Sequence, residues 1–197
     1  MTFKLGLTGS IGMGKSTTAE MFVAEGCALW DADAAVHRLY AKGGAAVAPM
    51  SAAFPDCIED AMVSRERLKE LISKDATILN RIEAIVHPLV AKDRTAFLET
   101  SQADITVLDI PLLFEGGSDA IMDAIVVVSV DFEEQKKRLM QRARMTREQL
   151  KAIMEKQAPD AEKRAKADYI IETDTLDHAR EQVQAVVRDI RAGLAIA

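Results

Sequence analysis

The sequence predicts an α/β fold: a parallel-sheet core, a helical insertion and a second helical excursion. Three observations carry that reading. Short apolar, β-branched runs alternate with longer stretches of helical periodicity, as in β-α-β units. Two of the runs, "ITVLDI" from Ile105 and "AIVVVSV" from Ala124, are almost continuously hydrophobic, as strands covered on both faces are. A glycine-dense loop, "GSIGMGKS", stands between the first run and a stretch able to continue as a helix.

Taken in order, the first strand is expected over Phe3 to Thr8 and a weaker second over Ala28 to Asp31. Ala34 to Asp104 is dominated by helical spacing and is too long for a simple crossover; within it, "SRERLKELI" offers Ser64 as a helix N-cap. Ile105 to Ile110 and Ala124 to Val130 are the central strands. From Phe132 to Ala167 a second helical stretch carries Lys136, Lys137, Arg138, Arg142, Arg144 and Arg147 with few acids between them, either a solvated face or a basic lid. A short last strand, Tyr169 to Ile171, precedes a C-terminal helix. Its Leu176, Ala179, Val183, Val186, Val187 and Ile190 form one apolar stripe behind Thr175 as cap.

Composition excludes several classes. The 197 residues, 49% hydrophobic and 28% charged, suit one globular domain. No apolar run reaches the roughly 20 residues that span a bilayer. The N-terminus has Lys4 as its only early base and no cleavage pattern, so a cytoplasmic protein with no membrane partner is expected. A net charge of −6 argues against nucleic acid as the main partner. Cys27 and Cys57 are too few for a disulfide scaffold and are expected to be reduced, packed thiols.

Gly9, Gly14, Lys15 and Ser16 satisfy G-x-x-x-x-G-K-[ST], with Ile11, Gly12 and Met13 completing the loop. Glycines let such a loop curl until successive backbone N–H groups form an anion nest at a helix N-terminus. Lys15 then reaches the β- and γ-phosphates of a nucleotide, Ser16 offers its hydroxyl to Mg²⁺, and Thr17 can bond the α-phosphate. The loop does not distinguish a switch from a kinase. Guanine-specific switches need N-K-x-D, yet the single asparagine, Asn80, is followed by Arg81, and no D-x-x-G occurs. A small-molecule kinase needs an acceptor-side carboxylate and arginines near the transferring group. Asp31 and Asp33 stand at the end of the second strand, where one could deprotonate an acceptor hydroxyl or simply cap the helix expected from Ala34. Asp109 closes "ITVLDI" as a Walker B aspartate does, serving Mg²⁺ or a strand-end turn.

"LTGSIGMGKST", "DAD", "VHPLV", "LDIPLLFE", the Q-x-x-R-L-x-x-R pattern from Gln135 to Arg142, and "ADYII" follow one another in the order seen in dephospho-coenzyme A kinases. The chain resembles that family over most of its length. The resemblance implies a P-loop fold like that of nucleoside-monophosphate kinases. It implies ATP with Mg²⁺ as cofactor, and phosphorylation of the ribose 3′-hydroxyl of dephospho-coenzyme A as the last step of coenzyme A synthesis. Carried over by position, it makes Asp33 the general base. Lys15, Arg138 and Arg142 stabilise the transferring group, Asp109 supports the metal with Ser16, and His87 and Pro88, at the start of a helix, shape the acceptor pocket. The organisation it implies is one kinase domain: a nucleotide-binding core of residues 1–33, 105–135 and 168–197, a helical substrate region of 34–104, and a lid of 136–167. The sequence departs from the pattern at Thr173, where relatives commonly have asparagine, and at Ala143-Arg144, where an acid is frequent. Another P-loop small-molecule or nucleoside-monophosphate kinase is the alternative reading.

Overall fold

The computed structural model describes residues 2–141 and 157–195, and in it the five apolar runs align as strands of one sheet. They are β1 (Phe3–Thr8), β2 (Ala28–Asp31), β5 (Ile105–Asp109), β6 (Ala124–Ser129) and β7 (Tyr169–Glu172), in the order β2-β5-β1-β6-β7. Each begins where the sequence places it and ends within a residue of expectation. β1 lies parallel to both neighbours, with Phe3 opposite Ile105 and Leu5 opposite Ala124; β6 and β7 are also parallel. Every residue of β5 and β6 is buried, as their unbroken hydrophobicity demands.

The chain divides into two compact units, Met1–Trp30 with Ser101–Ala197, and Asp31–Thr100. In the first, α1 (Lys15–Ala24) and the C-terminal helix, Leu176–Leu194, pack on the sheet; Phe22, Val183 and Val187 meet Leu5, Val126 and Ile171 in its core. Thr175 caps the C-terminal helix by accepting from His178 N–H at 3.2 Å. The expected stripe is buried except at its first member: Leu176 is 62% exposed because it opens the helix, beyond the reach of the core. α6 (Phe132–Gln141) and α7 (Asp160–Ala165) complete the described α-helices of this unit, so that the C-terminal helix is α8.

In the second unit, α2 (Ala32–Tyr40), α3 (Val47–Ala53), α4 (Arg65–Lys74) and α5 (Thr77–Thr100) surround a separate core of Leu39, Met50, Phe54, Leu68, Ile82 and Val86. Ser64 caps α4 as expected, accepting from Arg67 N–H. A hairpin of β3 (Ile58–Glu59) and β4 (Met62–Val63) turns through Asp60 and Ala61 at φ 49° and 60°, the positive pair that a type I′ turn requires.

Two expectations are corrected here. α2 starts at Ala32, not Ala34, and its cap is Asp31, whose carboxylate accepts from Ala34 N–H at 2.7 Å; Asp33 therefore lies in the first turn, exposed, with no capping duty. His87 and Pro88 do not begin a helix but lie midway along the 24-residue α5. Proline there withholds one N–H from the carbonyl a turn earlier. The helix continues because Ile82 and Val86 on the preceding turns anchor it in the core of this unit.

Candidate active site

The loop between β1 and α1 is shaped by its glycines. Gly12 and Gly14 take φ of 82° and 88°, conformations other residues rarely adopt, and Gly9 passes so near β6 that a Cβ would lie 2.8 Å from the Val128 carbonyl. Gly14 is the residue preceding α1 and offers no side-chain cap, so the N–H groups of the first helical turn stay available to an anion. Met13 N–H donates to the Ser10 carbonyl at 3.1 Å, closing the turn, and the Met13 side chain is buried against Val130.

Lys15 projects from the first turn of α1 and forms an ion pair with Asp109 at the end of β5. Asp109 is 2% exposed. The two residues that the sequence assigned to phosphate charge and to the metal are thus brought together, whereas Ser16 and Thr17 are exposed beside them in chain order. A Mg²⁺ ion keeps several waters and takes one or two protein oxygens plus those of phosphates. A hydroxyl from Ser16 and the Asp109 carboxylate fit that demand. Among the described residues no group of three His, Cys, Asp or Glu side chains is positioned to hold a metal alone.

Beside the loop lies a cavity of about 390 Å³ lined by Gly12, Gly14, Thr17, Arg138, Thr173 and Leu176, among others. Arg138 is not free in it. Its Nε donates to Glu134 at 3.0 Å, Nη1 to Thr173 Oγ1 at 3.1 Å, and Nη2 to the Thr173 carbonyl. Thr173, buried, in turn donates from Oγ1 to the Met13 carbonyl at 2.8 Å, and its N–H bonds the Ser129 carbonyl at 2.9 Å. Thr173 therefore joins α6, the end of β6 and the phosphate loop, a role the sequence did not signal because its partners lie far away along the chain. His178 pairs with Asp174, which lines the cavity, at 2.7 Å and draws that carboxyl below its usual range.

Three further predicted residues belong to the Asp31–Thr100 unit. Asp33 lies on α2 and His87 and Pro88 on α5, all three exposed or half-exposed. α2 and α5 pack together, with Arg38 and Asp93 paired at 2.6 Å across them. Arg142, with Arg144 and Arg147, lies outside the described residues.

Two features of the "DIPLLFE" stretch were not legible beforehand. Glu115 accepts from Ala158 N–H at 2.8 Å and pairs with Lys163 at 3.0 Å, and Lys163 is fully buried. Burial by itself raises the Glu115 carboxyl, but these two partners hold it below the ordinary glutamate range. Phe114, next to it, faces the Lys166 ammonium 5.5 Å from its ring centre.

No described helix is long and apolar enough to cross a membrane. A family model described as dephospho-CoA kinase (CoaE) matches residues 3–178. A dephospho-CoA kinase of Ruegeria pomeroyi is 66% identical over 193 residues, covering 98% of each chain. Among solved structures, TT1252 from Thermus thermophilus superposes with a TM-score of 0.84 at 30% identity, over 95% of this chain and 97% of that one. A dephospho-CoA kinase from Campylobacter jejuni does so with a TM-score of 0.71 at 25% identity, over 98% and 99%. With its phosphate loop formed and its strand order in place, this chain belongs to the dephospho-CoA kinase family.

Proposed function

We propose that the chain, in the cytoplasm, transfers the γ-phosphate of ATP to the ribose 3′-hydroxyl of dephospho-coenzyme A, giving coenzyme A. The observation that carries this is the Lys15–Asp109 pair at the mouth of a formed phosphate loop, in a member of this family. Phosphoryl transfer asks a protein chiefly for positioning and for charge on the equatorial oxygens. The uncapped N–H groups at the start of α1 hold the phosphate chain, and Lys15, exchanging Asp109 for phosphate, supplies the charge. Ser16 and Asp109 would hold Mg²⁺, which when bound neutralises the β- and γ-phosphates. Asp33, exposed and free of capping duty, takes the proton of the acceptor hydroxyl. His87 and Pro88 contribute to the acceptor side, and Arg142 to the transferring group. Arg138, fixed to Thr173 in the wall of the cavity beside the loop, stabilises the transferring group with Arg142.

The test is an acceptor screen with ATP and Mg²⁺, read by mass spectrometry. Phosphorylated dephospho-coenzyme A, absent when Mg²⁺ is chelated, is the expected product. Phosphorylation of a nucleoside monophosphate in its place would replace this acceptor with another.

A further inference from the structure

Ile11, at the crest of the phosphate loop, has both polar groups of its main chain taken by side chains from outside the loop. Its N–H donates to Gln157 Oε1 at 3.1 Å, and its carbonyl accepts from Gln135 Nε2 at 2.8 Å. A carboxamide can act as donor or acceptor, and here two of them act in opposite senses on one residue. The consequence follows from peptide geometry. In a trans peptide plane the C=O and the N–H point in opposite directions. Holding the Ile11 carbonyl toward α6 therefore turns the Gly12 N–H away from α6. Holding the Ile11 N–H toward Gln157 turns the Ser10 carbonyl the other way, where it accepts from Met13 N–H. Each glutamine thus sets one of two consecutive peptide planes.

Both are themselves held. Gln135 is 4% exposed, on α6, whose Leu139 lies so close to Gly12 that a Cβ there would stand 2.9 Å from its Cγ. Gln157 precedes Ala158, whose N–H is bound by Glu115, and Glu115 is fixed by the buried Lys163. The geometry points to Gln135 and Gln157 as a pair of positioning residues that orient the peptide planes of the phosphate loop for ATP, the first needed as a donor and the second as an acceptor. This rests on the reading of the loop as the ATP phosphate site.

The test compares Gln135→Met, Gln157→Met, Gln135→Glu and Gln157→Glu with the wild-type chain by ATP calorimetry, steady-state kinetics and thermal melts. Methionine keeps the shape and removes the hydrogen bond, so each methionine variant should weaken ATP roughly 10-fold, the worth of about one hydrogen bond, with the KM for dephospho-coenzyme A unchanged. A mere packing role would not split the two substrates. Glutamate adds the same charge at either position but keeps only an acceptor, so Gln157→Glu should bind ATP roughly 10-fold more tightly than Gln135→Glu. Wild-type affinity in both methionine variants, or equal affinity in the two glutamate variants, would overturn the assignment. If the variants at buried Gln135 do not fold, Gln157→Met decides: weakened ATP with an unchanged KM for dephospho-coenzyme A supports the assignment, and wild-type ATP affinity sinks it. A wild-type chain that does not bind ATP would remove the reading of the site and this inference with it.

Discussion

The ammonium of Lys15 and the carboxylate of Asp109 form an ion pair that ties the first turn of α1 to the end of β5. Lys15 neutralises a nearly buried carboxylate, and in the function proposed above the same side chain meets phosphate. Lys15→Ala should lower turnover at least ~10²-fold, because a preorganised charge is lost from the developing oxygens. It should also lower stability by roughly 1–3 kcal/mol, because the nearly buried Asp109 carboxylate loses this ion pair. Adding Asp109→Asn should return the melting temperature toward that of the wild type without returning turnover. Near-native kinetics in folded Lys15→Ala would remove the lysine from the chemistry.

Asp31 and Asp33, two residues apart, should separate cleanly. Asp31→Ala removes the α2 cap and should cost about 1 kcal/mol, read as a lower urea midpoint. Asp33→Asn should leave the midpoint unchanged and reduce turnover ~10²-fold or more, with ATP affinity preserved. Unchanged turnover would refute Asp33 as the base, and lost ATP affinity would move it to the metal.

Acid should weaken the fold through Glu115 in particular. Its carboxyl lies below its unfolded value in the folded chain, so the stability it contributes is complete above the unfolded value, 4.5, and is lost as pH falls through the lower folded one. Glu115→Gln should be less stable at pH 7, where it leaves the buried Lys163 without its counter-charge, and should lose less on acidification below 4.5. Urea titrations at a series of pH values measure this; parallel profiles would dismiss the contribution.

Cys27 and Cys57 are both buried free thiols. Burial pushes the Cys27 thiol up to about 11 and also raises Cys57. At pH 8 a thiol-specific chromogenic disulfide should label neither in the folded chain and both in denaturant. Rapid labelling of the native protein would contradict the packing.

The strands and the phosphate loop were legible because their signals are contiguous: β-branched runs such as Ala124 to Ser129 and a motif of eight adjoining positions. The cap at Ser64 is legible for the same reason, since it directly precedes the helix it caps. The hairpin at Ile58–Glu59 and Met62–Val63 was not, since Asp60-Ala61 lacks the glycine or asparagine that usually announces such a turn. Pro88 misled because proline favours a first turn, and only the tertiary burial of Ile82 and Val86 keeps α5 running past it. Thr173, Gln135 and Gln157 escaped because their work is done through hydrogen bonds to a loop more than a hundred residues distant in the chain.

That sheet order bears on how the chain emerges from a ribosome. β1 is synthesised first, yet both strands that flank it, β5 and β6, follow about a hundred residues later. The Asp31–Thr100 unit is continuous in sequence and has its own core, so it can collapse while β1 waits with both edges unpaired. A nascent chain stalled before Ile105 should thus hold a protected helical unit and an exposed apolar N-terminal strand, a natural client for a chaperone at the exit tunnel.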